Sequence, residues 1–404
     1  MAGNQRVVVT GIGAVCCLGL SVPEFWEGLC AGRSGIGPIA RFDTTGLRNP
    51  CAGEIKHPEA LRLPAGADPE DLAVRFALAA AREAVADAAL PQGGDPGRRG
   101  IVFSTNFGGA HAWERFATAW HTDPAQVRSA DLLRFSFEDA VAIAATALRF
   151  LGPRGTLSLS CSSGAASVAW AMDTIRAGRA DVMLAGGHDA LSLSSLAGLS
   201  ALRTVTAEQI RPFDKNRSGT LFGEGAGMLV VEARDHAVAR GARIYGEVCG
   251  AAVNNNAYHV TAPDKQGEGL AAALRAALGD AEVPPEAVDY VNAHATGTKY
   301  HDAVETAAIK AVLGARAGEI PVSSIKAATA HPMAAAGSLE AIASLLALRD
   351  GIVPPTLNYE TPDPACDLDC VPNIARRTSL RCVVSLSSGI GGNNAALVLR
   401  KDEP

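Results

Sequence analysis

Short runs of Val, Ile and Leu recur along this chain, each parted from the next by an Ala-rich stretch with helical spacing. The strand-like runs are RVVVTGIG (6–13), RGIVFST (99–105), TLSLS (156–160), DVMLAGG (181–187), GMLVVEA (227–233), VDYVNAH (288–294), IPVSS (320–324) and CVVSLSS (382–388). Helical runs fall at 70–89, 136–149, 164–177, 267–279, 302–313 and 337–349. A strand that is apolar throughout is covered on both faces, so helices must lie over both sides of its sheet. This predicts an α/β layered architecture. With 404 residues, 48% hydrophobic and 19% charged, the chain can bury two or three domains or one large duplicated unit. LSLSCSSGAASV and VVSLSSGIGGNNAALV each carry a strand into a Ser/Gly turn, as a duplicated fold would. No linker divides the chain, and the Pro/Gly-rich stretches 90–99 and 352–372 are expected to be surface loops.

The formal net charge is -6 and no Lys/Arg-rich block occurs, which argues against nucleic acid or an anionic membrane as partner. MAGNQRVVVTGIGAV lacks the layout of a signal peptide, and no apolar run approaches the roughly 20 residues a membrane span needs. Nine scattered cysteines, an odd number, point to reduced thiols and a cytoplasmic setting. CDLDC (366–370) has no second Cys/His pair and is expected to be two incidental thiols in a loop. Two glycine patterns fail as nucleotide signatures. VVVTGIGAVC has Cys16 where the dinucleotide fingerprint needs its third glycine, and FGEGAG (222–227) lacks a Gly-Lys-Ser/Thr ending.

Cys161 ends a strand-like run, and Ser162, Ser163, Gly164, Ala165 and Ala166 follow it into a helix that Gly178 is placed to end. Unpaired backbone N–H groups and the positive dipole end at a helix start favour thiolate and can hold an oxyanion. Small neighbours leave room for a substrate, so the junction is similar to a nucleophile elbow with Cys as attacker. A single Cys is more often inert core filler, so the histidines decide. Of the nine (57, 111, 121, 188, 236, 259, 294, 301, 331), His294 and His331 follow strand-like runs, where open α/β folds place their sites. The other seven are expected at the surface. One Cys and two His could ligate zinc, but without a short paired spacing the expectation is no metal. Neutral imidazoles donating to a thioester carbonyl would stabilise an enolate instead.

Taken together, RVVVTGIGAVCCLGLSVPEFWEGLCAGRSGIGPIARFDT, SCSSGAASVAWAMDTIRAGRADVMLAGG, RPFDKNRSGTLFGEGAGMLVVE, YVNAHATGTKYHDAVET, PVSSIKAATAHPMAAAGSLEA and SSGIGGNNAALVL resemble β-ketoacyl-acyl-carrier-protein synthases over nearly the whole chain. NNNAYHVTAPD, NAHATGTKYHD and VPPTLNYETPDPACDLDCVP look most like ketosynthase-alpha subunits of type II polyketide synthases, with the fatty-acid condensing enzyme as close neighbour. The resemblance implies a thiolase-like fold: duplicated halves, 1–245 with the nucleophile and 246–404 with the histidines, in a five-layer α-β-α-β-α sandwich. It implies a decarboxylative condensation of a malonyl thioester with an acyl chain held on Cys161, with a non-condensing acyltransferase using the same Cys as the alternative. His294 and His331 match the histidines that bind the malonyl thioester, and Lys326 and Glu340 the charged pair that supports them. Thr296 and Thr298 match hydroxyls that contact the phosphopantetheine arm, and the backbone N–H groups of Cys161 and Ile390 match the oxyanion hole. No resident cofactor is implied, because that arm arrives on acyl carrier protein. The expected partners are this carrier protein and a second ketosynthase-like subunit, in a homodimer or a heterodimer with a chain-length-factor-like homologue.

Three positions depart from the family pattern. Ala330 and Ala295 stand where glycines usually flank the two histidines, and Ile390 replaces an aromatic gate residue. These changes bear on substrate choice more than on reaction type. The His188–Asp189 pair near the site has no assigned role at this level.

Overall fold

A computed structural model of the chain describes residues 5–63, 71–91 and 93–403. Position 70 of the 70–89 helical run and position 92 of the 90–99 stretch lie outside the described residues. The first part of the chain runs through β1 (Val7–Cys16), α1 (Leu72–Asp87), β2 (Arg99–Ser104), α2 (Ala110–Thr122), α3 (Asp139–Leu148), β3 (Arg154–Leu157), α4 (Ser163–Arg176), β4 (Val182–Asp189) and β5 (Gly225–Ala233). The second part runs through β6 (Gly246–Asn255), α5 (Glu268–Asp280), β7 (Tyr290–Asn292), α6 (His301–Leu313), β8 (Val322–Ser323), α7 (Ala336–Asp350), β9 (Cys382–Gly389) and β10 (Asn393–Arg400).

The strand order is β3-β2-β4-β5-β1 followed by β6-β10-β9-β7-β8. In each group of five, the two outermost pairings on the β3 or β8 side are parallel and the next two antiparallel. Apart from α2 and the short helices Val22–Cys30, Ser129–Leu133, Leu193–Ala201, Arg234–Ala239 and Lys326–Thr329, the two parts repeat one order of elements and one strand order. They meet where β1 and β6 pair antiparallel at Val8–Glu247 and Val9–Gly246, which joins the groups into a ten-stranded sheet.

The layers follow from which helix covers which face. α4 and α7 pack against each other, and each also touches strands of both groups, so they form the middle layer. α1 and α3 cover the outer face of the first five strands, while α5 covers β6 and β10 and packs against α6. β1, β4 and β5 are buried along their whole length, as continuous apolar runs require. The central helices cross closely. A Cβ on Gly164 would stand 2.6 Å from the Ala334 carbonyl oxygen, and one on Gly337 would stand 2.6 Å from the Ala165 nitrogen. Gly178, at φ +67, turns the chain out of α4.

The structure corrects three local expectations. The ladder in TLSLS stops at Leu157, because the chain turns over the next residues with Ser160 at φ +56. The 352–372 stretch is not a surface loop. Val353, Leu357, Cys366, Leu368, Cys370 and Val371 are buried in it, a backbone bridge at Thr356–Pro372 closes it on itself, and one at Pro321–Asp369 ties it to the residue before β8. The two thiols of CDLDC are therefore core side chains. Strands β6 and β10 and helix α2 carry weaker runs than those picked out above, and tertiary pairing forms them.

Filling the helix crossing should be costly. Gly337→Val is expected to lower stability by about 1–3 kcal/mol, read as a lower urea midpoint at unchanged m value.

Candidate active site

Cys161 lies two residues before α4, in the central layer, with the strained Ser160 directly before it. His294 follows β7 by two residues. His331 follows β8 after a single helical turn, Lys326–Thr329. One group comes from the first half and two from the second, and the fold brings them together. The Cys161 sulfur and one nitrogen of each imidazole lie within 4.8 Å of one another. The two rings meet edge to face at 5.3 Å between centroids and 82°.

A third imidazole completes the group. His301, first residue of α6, sits 5.1 Å from His294 at 71° and is largely buried. The expectation of a surface role fails for it, and also for His188 and the mostly buried His111. The signal for His301 was its position four residues before Glu305 at a helix start, on the same face.

Lys326 and Glu340 are fully buried and bonded to each other, Nζ to Oε1. Burial, then the Lys326 charge, holds His294 and His331 far below the usual imidazole range, and the same two causes take His301 down to about 4. All three are thus neutral near pH 7 and able to donate or accept a hydrogen bond. Burial pushes Glu340 up to about 7 against the pull of Lys326.

The thiol departs from the helix-start expectation. Cys161 is 9% exposed, and burial raises its pKa above the ordinary 9.0. The Ser160 hydroxyl, the Lys326 charge and the Ile390 N–H pull the other way without cancelling it. The resting group is a thiol, because desolvation of an anion here outweighs the dipole of the helix. Gly389 has to be bare to bring Ile390 this close, since a Cβ there would stand 2.9 Å from the Cys161 nitrogen. Gly391 and Gly392, at φ +89 and +80, complete the turn.

Carboxylates fix the loops. Glu305 accepts the N–H groups of His294 and Ala295, both at 2.7 Å, while burial lifts its pKa to about 8. Asp302 accepts the N–H groups of Phe213 at 2.9 Å and Gly297 at 3.2 Å. The Thr296 hydroxyl donates to that of Thr298 at 3.1 Å. Asp189, buried at the end of β4, accepts the Thr105 hydroxyl at 2.7 Å, the Asn106 and Phe107 N–H groups, and the Ala334 N–H at 2.9 Å. It therefore ties the loop after β2 to the segment after His331, while His188 is neutral and packs on Phe103 at 6.0 Å.

Ala330 has φ +56 and ψ −170, a conformation nearly exclusive to glycine. Its methyl is accommodated because positions 53 and 223 are glycines. A Cβ on either would stand 2.9 or 3.1 Å from it.

Family models for the beta-ketoacyl synthase N-terminal and C-terminal domains match residues 4–237 and 245–360. The chain belongs to the β-ketoacyl synthase family. It is an acyltransferase with the thiolase-like ketosynthase fold. It is 41% identical over 419 residues, 98% of each chain, to a Streptomyces cyaneus protein named as a polyketide beta-ketoacyl synthase 1. It superposes on the ishigamide ketosynthase/chain length factor with a TM-score of 0.93 at 38% identity, covering 99% of this chain and 100% of that one. It superposes equally fully, at a TM-score of 0.92 and 34% identity, on a type II polyketide acyl-carrier protein in complex with its ketosynthase bound to the hexaketide. Among the described residues, no helix is long and apolar enough to cross a membrane.

Two outcomes follow for this β-ketoacyl synthase. Ala330→Gly should stabilise it by about 1 kcal/mol, the strain released less the entropy glycine adds, seen as a raised urea midpoint. Because the thiol is raised, its thiolate fraction is small at neutral pH. Iodoacetamide labelling of Cys161, followed by peptide mass, should keep accelerating past pH 9 with no plateau below it.

Proposed function

We propose that Cys161 carries the acyl chain while His294 and His331 promote decarboxylation of a malonyl thioester. The observation that carries this reading is the sulfur and two neutral imidazoles within 4.8 Å of one another, beside a buried Lys326–Glu340 pair. In the first half-reaction the sulfur attacks the acyl thioester on carrier protein, the carrier thiol leaves with the Cys161 proton, and the acyl group stays on Cys161. The N–H groups of Cys161 and Ile390 would hold the oxyanion of that step. In the second, the malonyl C–C bond to the carboxylate breaks, carbon dioxide leaves, and the electron pair becomes an enolate. The two imidazoles donate N–H bonds to its oxygen. The enolate carbon then attacks the acyl carbonyl, and Cys161 departs as thiolate and regains a proton. No strong base is needed, since loss of carbon dioxide supplies the carbanion.

Thr296 and Thr298 lie in the His294 loop, where they would meet the phosphopantetheine arm. Three donors this close could ligate a cation, but the Lys326 ammonium, which already suppresses protonation of both imidazoles, opposes a second positive charge there. The reading needs no metal and no resident cofactor. It places the enzyme in the cytoplasm, in polyketide or polyene assembly, with acyl carrier protein and a second ketosynthase-like subunit as partners. The similarity to the two ketosynthase structures, one a carrier-protein complex and one a pairing with a chain length factor, supports those partners. The duplicated halves serve as one catalytic unit.

Intact mass and trapped carbon dioxide test the two half-reactions separately. Cys161→Ala should show no acyl adduct. His331→Ala should keep acylation while release of carbon dioxide from malonyl-carrier protein falls by about 10²–10³-fold. An acylated wild type that releases no carbon dioxide would instead mark a simple acyltransferase.

A further inference from the structure

The His331 ring is buried without a polar tie of its own. Neither of its ring nitrogens meets a hydrogen-bond partner among the described residues, although the ring is buried. Rotation of an imidazole about its last torsion is soft, so burial alone does not set where its N–H points. Working histidines are usually oriented by a hydrogen bond to the other nitrogen. Here that bond is missing.

Something else holds the ring. Leu221 to Gly223 run beside His331 as a short parallel bridge. The His331 N–H donates to the Leu221 carbonyl at 2.8 Å, and the Gly223 N–H donates to the His331 carbonyl at 2.9 Å. Phe222 is thereby the direct bridge partner of His331, so the two side chains leave neighbouring backbones together. Their rings stack at 5.9 Å between centroids and 27° between planes, and Phe222 is buried. The His294 ring closes another side, edge to face. The bridge also grips the exit of the strained Ala330, and conformations of that kind persist only where the surroundings over-determine them.

We infer that Phe222 is a positioning residue: its ring fixes the plane of the His331 imidazole and so aims the N–H at the malonyl thioester. This rests on the decarboxylating reading above and deepens it. An aromatic pair at this separation attracts beyond its buried area, which favours one ring orientation over the others. Removing the ring while keeping a similar volume frees the imidazole and leaves the sulfur and its oxyanion donors in place.

The test measures both half-reactions in Phe222→Leu and Phe222→Tyr. In Phe222→Leu, acylation of Cys161 should stay within about two-fold of wild type. Its kcat for carbon dioxide release from malonyl-carrier protein should fall about ten-fold or more, with KM changed less. Those magnitudes are what loss of orientation at one donor implies. Phe222→Tyr keeps the ring and should recover release to within a few-fold. A general loss of structure would instead lower acylation and release in proportion, in both variants, and would overturn the assignment. So would Phe222→Leu releasing carbon dioxide at the wild-type rate. The wild-type control is independent of Phe222: if it acylates yet never releases carbon dioxide, the decarboxylating reading fails and takes this inference with it.

Discussion

A single buried ammonium sets the electrical conditions of this site. Taking Lys326 out of water costs several kcal/mol, and its bond to the equally buried Glu340 offsets that cost. Its field reaches every reactive group nearby. It disfavours protonation of His294, His301 and His331, and it favours the anionic forms of Cys161, Glu305 and Asp302. The site thus holds neutral donors in a positive field. Such a field favours the negative charge as it moves from the malonyl carboxylate onto the thioester oxygen, where the imidazole N–H groups also meet it. The thiol stays protonated at rest because burial dominates, so the sulfur acquires charge only as it reacts.

That chemistry depends on a close approach between two halves of the chain. Cys161 comes from just ahead of α4 and the imidazoles from loops after β7 and β8, and these meet because α4 and α7 cross with a glycine on each side. Carboxylates then replace flexibility with fixed backbone. Glu305 grips the His294 loop, and Asp189 stitches the loop after β2 to the chain beyond His331. Position of the reacting atoms is therefore set by groups that do not themselves react.

Much of this was legible from residue patterns. Continuous apolar runs such as 227–233 announced strands covered on both faces, and the residues singled out through the resemblance, Cys161, His294, His331, Lys326 and Glu340, lie close together in the fold. What the residues concealed was environment. The thiolate-favouring helix start at Cys161 was plain, but the desolvation that overrides it depends on the packing of distant segments. His301 looked like one more polar residue at a helix entrance, and its burial follows from α6 closing over the His294 loop. The Pro-rich 352–372 stretch reads as solvent-facing by composition, yet its few apolar side chains fall where the second half needs filling. Ala330 is a single methyl in sequence. Its strain, and the two glycines that make room for it, exist only in three dimensions.

The repeat also has an unequal inheritance. Cys161 stands two residues ahead of α4, and the residue at the same offset ahead of α7 is Ala334. Where the first half presents a sulfur, the second presents a methyl, and its backbone N–H is held by Asp189 from the first half. One side of the near-symmetric crossing carries a sulfur, and the other carries a backbone N–H that anchors the second half to the first.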